Sequence, residues 1–301
     1  MKMSSEEKQL PKSKRRWFQL RLRTLLVLVT LASVPLGWVG WELDQRRREK
    51  VAIAWVEKMG GTVSGSPVHG GNGYGGPVEP SWWKKTKDAW FGKRVASVDL
   101  TQEDVSDLSP LAELKNLETL HCLGTKVSDL TPLAGLKNIY WLDLSHTKVS
   151  DLSPLTSLKK NLKALSLGST EVTDLSSLAE LKNLRDLVLR NINVNDLSHL
   201  ANLKKLDVLI LARTPVSDLS PLAGLKSLRS LNLYTTQVSD LSPLEGLENL
   251  EELDLIGTEL SDLSPLAGLK NLQRLYLDGT KVTEEQIDKL KLALPNCKIS
   301  R

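Results

Sequence analysis

Asp99, His121 and Asp143 stand at one offset in a repeating chain, separated by equal steps of 22 residues. If the repeats stack as strands, the three side chains sit side by side about 4.8 Å apart, with His146 on the next inward-facing position. Two carboxylates and two imidazoles are a donor set that a metal could take. The plainer reading is a solvated polar row in which Asp and His pair across strands. A second set is a column of aspartates: Asp107, Asp129, Asp151, Asp174, Asp196, Asp218, Asp240 and Asp262. It can be read as calcium binding or as turn capping, and the sequence favours capping because the glycine-rich loops of calcium-binding repeats are missing. His69 and His199 fall in loop contexts and carry no signal. No nucleophile–base motif, phosphate loop or paired-cysteine metal spacing occurs, so neither an enzyme nor a cofactor is expected.

What positions these residues is a period. Val95, Leu117, Ile139, Leu162, Leu184, Leu206, Leu228, Leu250 and Leu272 follow one another at 22 residues, with a single step of 23. Such a period means a solenoid in which each unit touches only its neighbours. In the unit starting at Leu117, Leu120 and Cys122 have strand spacing, while Val127, Leu130, Leu133 and Leu136 recur every third residue, as in a 3₁₀ turn. Cys122 is therefore expected to be a buried thiol. It lies too many strands from Cys297 for a disulfide. Between strand and turn runs a threonine column: Thr125, Thr147, Thr170, Thr214, Thr236, Thr258 and Thr280, with Glu103 and Ile192 in the remaining places. It is expected to satisfy backbone groups that the strand leaves unpaired. Ser or Thr before Pro, as in Ser109-Pro110 or Ser220-Pro221, predicts a hydroxyl N-cap with proline at the first helical position.

The unit LxxLxLxxTxVSDLSPLAGLKN resembles the 22-residue leucine-rich repeat of the internalin-like class, with Thr where that family usually has Asn. The resemblance implies an α/β repeat solenoid. This would be a right-handed superhelix with a parallel β-sheet on its concave face and 3₁₀ or extended turns on its convex face. It implies protein recognition as the usual role.

The front of the chain differs. Seven of its eight Trp and both Phe precede Val95. Residues 24–41 carry no charge and are long enough to cross a bilayer, with Trp17, Phe18, Trp38 and Trp41 at the ends. A cleaved signal peptide is the alternative, but no clear cleavage motif follows. Eight cations precede the span (Lys2, Lys8, Lys12, Lys14, Arg15, Arg16, Arg21, Arg23) and four follow it (Arg46, Arg47, Arg48, Lys50). That asymmetry favours the N-terminus in the cytoplasm and the repeats outside a bacterial cytoplasmic membrane. The expected organisation is a basic tail over 1–23, the span over 24–41, a helix, Gly/Pro loop and cap over 42–94, repeats over 95–282 and a C-terminal cap over 283–301. The layout also resembles membrane-anchored bacterial leucine-rich-repeat proteins. In the cap, Val51, Trp55, Val56 and Met59 are expected on one helix face. At the far end Thr283 should cap a helix whose apolar face is Ile287, Leu290, Leu292 and Leu294. The net charge is +4 and the first 23 residues carry 8 − 2 = +6, so the remainder is about −2, no footprint for nucleic acid.

Function is then sought where the repeats disagree. One patch is His121, Leu123, Tyr140, Trp141 and His146; Trp141 is the one Trp within the repeats. A second is Val188, Val208 and Ile210, flanked by Arg190 and Arg213, with Tyr234 next. An exposed Trp and apolar side chains on an open sheet face suit a protein partner. The leading expectation is a non-catalytic, membrane-anchored recognition module using the concave face. The alternatives are a structural envelope protein without a specific ligand and an intracellular scaffold similar to phosphatase regulators. The sequence leaves the oligomeric state open.

Overall fold

The computed structural model describes residues 37–65 and 94–301, which fall into two units divided between Lys50 and Val51. In the first unit, residues 37–50 are helical. Arg46 reaches Glu42 at 3.4 Å and Glu49 at 3.5 Å, and both carboxylates are buried. The span expected over residues 24–41 lies outside the described residues except for 37–41. Among the described residues no helix is long and apolar enough to cross a membrane. The Gly/Pro loop expected before the first repeat, with His69, also lies outside them.

The second unit is one sheet of eleven strands in chain order. They are β1 (Thr62–Gly65), β2 (Val95–Asp99), β3 (Thr119–His121), β4 (Trp141–Asp143), β5 (Ala164–Ser166), β6 (Asp186–Val188), β7 (Val208–Ile210), β8 (Ser230–Asn232), β9 (Glu252–Asp254), β10 (Arg274–Tyr276) and β11 (Lys298–Ser300). From β2 onward each strand is parallel to the next, whereas β1 is antiparallel to β2. Each of the first eight repeats returns through a short 3₁₀ segment such as Thr131–Gly135, as the three-residue leucine spacing predicts. Within one repeat Leu117, Leu120, Leu133 and Leu136 are wholly buried, so inward strand residues and 3₁₀ leucines form one core.

Three ladders of hydrogen bonds make this coil affordable. The threonine hydroxyls at 125, 147, 170, 214, 236, 258 and 280 each donate to the carbonyl three residues back, at 2.6–2.8 Å. Those carbonyls belong to the second inward strand residue, as for Cys122 and Leu144. Ile192 takes the place by packing, 3% exposed. A second ladder lies in plain sight in the LKN motif. The amides of Asn138, Asn161, Asn183, Asn249 and Asn271 donate to carbonyls one repeat back.

The third ladder corrects the expected hydroxyl N-cap. The residue at the N-cap of each 3₁₀ segment is leucine, Leu108 or Leu130 for example, and makes no side-chain cap bond. The capping acceptor is the aspartate just before it. Asp107, Asp129, Asp151, Asp174, Asp196, Asp218, Asp240 and Asp262 each accept the backbone N–H two residues on, at 2.8–2.9 Å. Asp-x-Ser forms a compact turn of its own, and the serine becomes the first turn residue instead of its cap.

The ends close differently. Over residues 51–58 a helix packs Ala52 and Val56 into the repeat core. Val51, expected on that face, is 67% exposed, because the buried stripe starts one residue later, at Ala52. Gly60 turns at φ +90°, and a Cβ on Gly61 would lie 2.6 Å from Leu100 and 2.7 Å from the Asp99 carbonyl. Only glycine allows β1 to approach β2 this closely. At the other end Thr283 and Gln286 form a capping box on the helix Glu284–Ala293. Ile287, Leu290 and Leu294 are buried as expected, but Leu292 is 86% exposed. Two residues after Leu290, it points away from the face that Leu290 buries. Pro295 follows the helix and β11 adds the last strand.

Asp107, Asp129, Asp174, Asp196, Asp218, Asp240 and Asp262 are held below the ordinary carboxylate range. The following hydroxyl is the main cause for Asp107, Asp129, Asp218 and Asp240, and the backbone N–H for Asp174, Asp196 and Asp262. A carboxylate depressed in the folded state stabilises the fold above its unfolded pKa, about 3.9, and that stability is lost as pH falls through the folded value. The thermal midpoint, followed by circular dichroism, is therefore expected to be level from about pH 7 to 5 and to fall below about pH 4. Asp218→Asn with Asp240→Asn keeps an acceptor but has nothing to titrate, so the acid fall becomes shallower. An unchanged slope would count against the column.

Candidate functional site

Each three-residue strand turns its middle residue inward and the two flanking ones outward, and the outward ones line up in rows. One row runs Thr119, Trp141, Ala164, Asp186, Val208, Ser230. The next runs Asp99, His121, Asp143, Ser166, Val188, Ile210, Asn232, Asp254. Asp99, His121 and Asp143 are thus true neighbours, as their spacing predicts. Their carboxylates are already engaged: Asp99 accepts the Thr101 N–H and Asp143 the Ser145 N–H, each at 2.9 Å. Asn232 and Asp254 do the same for Tyr234 and Ile256, so the row is a set of strand-end turns. Burial raises the Asp99 carboxyl, but the Thr101 hydroxyl and N–H and the nearby His121 together bring it below the usual range. Among the described residues no three His, Cys, Asp or Glu come together as a metal site. Cys122 is buried, which pushes its thiol well up, and both cysteines are free.

The first expected patch is assembled around Trp141, 45% exposed. Its ring meets His121 edge-on, with centroids 5.1 Å apart and planes at 73°. Its cross-strand neighbour Thr119 is only 5% exposed. Tyr140 is half-buried just before this strand, and Leu123 is half-buried beyond His121. In the second patch Val188 and Ile210 are paired across strands, with Val208 two residues before Ile210; all three are half-buried. Arg213 lies over the Tyr234 ring, 5.5 Å from its centroid.

His146 is not inward-facing. It is exposed, with φ +56°, and it belongs to a column that the sequence reading missed. Gln102, Gly124, His146, Ser169, Asn191, Arg213, Thr235, Gly257 and Gly279 all have positive φ, between 53° and 73°. At this point the chain leaves the strand. The turn is locked by a backbone bond to the next repeat, as from His146 to Gly168 (2.7 Å), Asn191 to Ala212 (2.8 Å) and Arg213 to Tyr234 (2.7 Å). Gly124, Gly257 and Gly279 adopt this conformation freely, whereas a side chain there costs about 1–2 kcal/mol. The three glycines at one offset were the available signal. Side chains persist in five successive repeats, His146 to Thr235.

Those repeats hold two hollows. One of about 430 Å³ is lined by Leu123, His146, Val188, Arg190 and Arg213 among others, so residues from both expected patches meet there. Gly168 also lines it and presents no side chain between Ser145 and Arg190. The second, of about 840 Å³, continues from Asn191 and Arg213 to Tyr234 and Thr235.

The family described as Leucine Rich repeats (2 copies) matches residues 204–246 and 248–292. The solved internalin InlF of Listeria monocytogenes is 30% identical with a TM-score of 0.64, covering 69% of this chain and 61% of its own. Internalin InlC2 of the same organism is 35% identical with a TM-score of 0.58, covering 63% and 81%. The ectodomain of the Arabidopsis thaliana receptor kinase GASSHO1/SCHENGEN3, solved in complex with CASPARIAN STRIP INTEGRITY FACTOR 2, shares the fold at 24% identity. Its TM-score is 0.52, and the match covers 63% of this chain and 28% of that one. This chain therefore spans about six-tenths of InlF, and no curated protein sequence matches it.

The left-handed column makes a stability prediction. Gly257→Thr forces a β-branched side chain to φ +69° and sets its Cβ 3.1 Å from the Thr235 hydroxyl; it should lower stability by about 1–2 kcal/mol in chemical denaturation. Thr235→Gly at the same offset should leave stability level or raise it by up to about 1 kcal/mol, since relief of strain offsets the added chain entropy. Equal losses from both changes would contradict the strain.

Proposed function

We propose, from the premise that this chain belongs to the internalin-like leucine-rich-repeat proteins, that it is a non-catalytic recognition module. It would hold a protein partner on the sheet face, the concave side of the solenoid. The observation that carries this is the division of labour within each repeat. Leucine, threonine and aspartate columns do the folding, while outward strand positions and the left-handed column change from repeat to repeat and bring His121, Trp141, Val188, Val208, Ile210 and Arg213 onto one face. Solenoids offer such extended faces to partners. An exposed Trp beside half-buried valine and isoleucine suits a desolvated interface centre. We further propose that residues 24–41 anchor the chain in a bacterial cytoplasmic membrane, with the basic tail inside and the repeats outside, on the charge asymmetry of the flanks.

Two measurements test this. Crosslinking of the anchored protein in its native membrane should capture a partner that Trp141→Ala with Val208→Asp no longer captures. An unchanged partner profile removes the interface and favours a structural envelope role. Protease added outside spheroplasts should degrade the repeats. Protection until lysis reverses the topology and favours an intracellular scaffold.

A further inference from the structure

We propose that the cleft between His146 and Arg213 receives acidic side chains of an extended segment of the partner protein. The proposal rests on the recognition reading above and adds the partner's chemistry. Four independent observations converge on it. The hollow of about 430 Å³ is lined by His146, Arg190, Asn191 and Arg213 over a Val188 floor, and no Asp or Glu lines it or the adjoining hollow of about 840 Å³.

The arginines differ from those nearer the C-terminus. Arg229 is bound to Glu251 at 2.6 Å and Arg274 to Glu252 at 2.8 Å, each across one repeat. Among the described residues neither Arg190 nor Arg213 meets a carboxylate, and the Arg213 guanidinium lies over the Tyr234 ring. A guanidinium left without an acid presents a planar fork that fits a carboxylate.

The hollow is also not a by-product of packing. A Cβ on Gly168 would lie 3.4 Å from the Arg190 carbonyl and 3.6 Å from the Ser145 hydroxyl, distances a side chain tolerates. His146, Asn191 and Arg213 meanwhile keep side chains at positive φ, where other repeats have glycine. Strain held at a site is a pointer to use. Finally, the two hollows share Asn191 and Arg213. They form one strip across successive repeats, which suits an extended chain.

The test uses the full chain and labelled short poly-glutamate and poly-glutamine peptides, with binding read by fluorescence anisotropy. Poly-glutamate should bind, weaken as salt rises, and lose at least about tenfold in affinity with Arg190→Gln and Arg213→Gln together. Gly168→Leu, which fills the hollow without changing charge, should also weaken it. Arg229→Gln with Arg274→Gln should not. Circular dichroism matching the parent shows that each variant folds. Equal binding of both peptides, or poly-glutamate binding untouched by Arg190→Gln with Arg213→Gln, overturns the proposal. So does a phosphoserine peptide bound far more tightly than poly-glutamate, which would make the cleft a phosphate site. If Trp141 and Val208 still govern partner capture while the cleft shows no preference for acid, this inference falls and the recognition reading stands. If capture is also indifferent to those two residues, both fall.

Discussion

A chain that coils back every 22 residues must bring leucines inward from both strand and turn while leaving no buried carbonyl or N–H without a partner. Everything else in the fold follows from that double demand. Burial alone would be met by any leucine-rich coil, but the sharp corners strip backbone groups of their sheet partners. Thr serves the carbonyl at one corner and Asp the N–H at the other. Asn ties the outer turn to the repeat before. These columns recur because each is the short side chain that reaches its target from its corner. Their aspartates and threonines look like chemistry in the sequence and act as architecture.

What the demand leaves free is a narrow strip: the outward strand positions and the residue at positive φ. On that strip the coil asks only for an occasional Asp or Asn at a strand end and favours Gly at the left-handed turn, and residue types otherwise diverge there. The same turn that terminates each strand also presents its left-handed residue at the rim of the sheet. Variation there changes the surface without touching the core.

Much of this was legible in sequence because period and hydrophobicity are carried by residue type. The leucine spacing led to the 3₁₀ segments, and the register of Asp99, His121 and Asp143 followed from their common offset. The errors have a shared cause: backbone conformation is not written in residue type. Ser-Pro carries the same signature whether serine caps a turn or begins it, so the cap was given to serine as well as to the aspartate that makes it. His146 was placed inward because strand alternation was continued past the strand's end, where the left-handed turn breaks it. Val51 shares a helical spacing with Trp55, and Leu292 was grouped with its apolar neighbours, but each lies out of phase with the residues that its helix buries. The cleft was missed because it depends on an absent side chain at Gly168 and on φ, although the arginines and valine around it had been singled out.

The antiparallel β1 has a consequence for how such a protein can lengthen. A parallel stack ending in a bare strand would accept the first coil of another molecule and could polymerise head to tail. Reversing the first strand presents the wrong hydrogen-bond pattern for that joint, and the helix 284–293 occupies the core at the opposite end. Whole coils can thus be duplicated or deleted between the antiparallel first strand and the closing helix, with no change to either. The length of the outward-facing strip is free to change by duplication of whole coils.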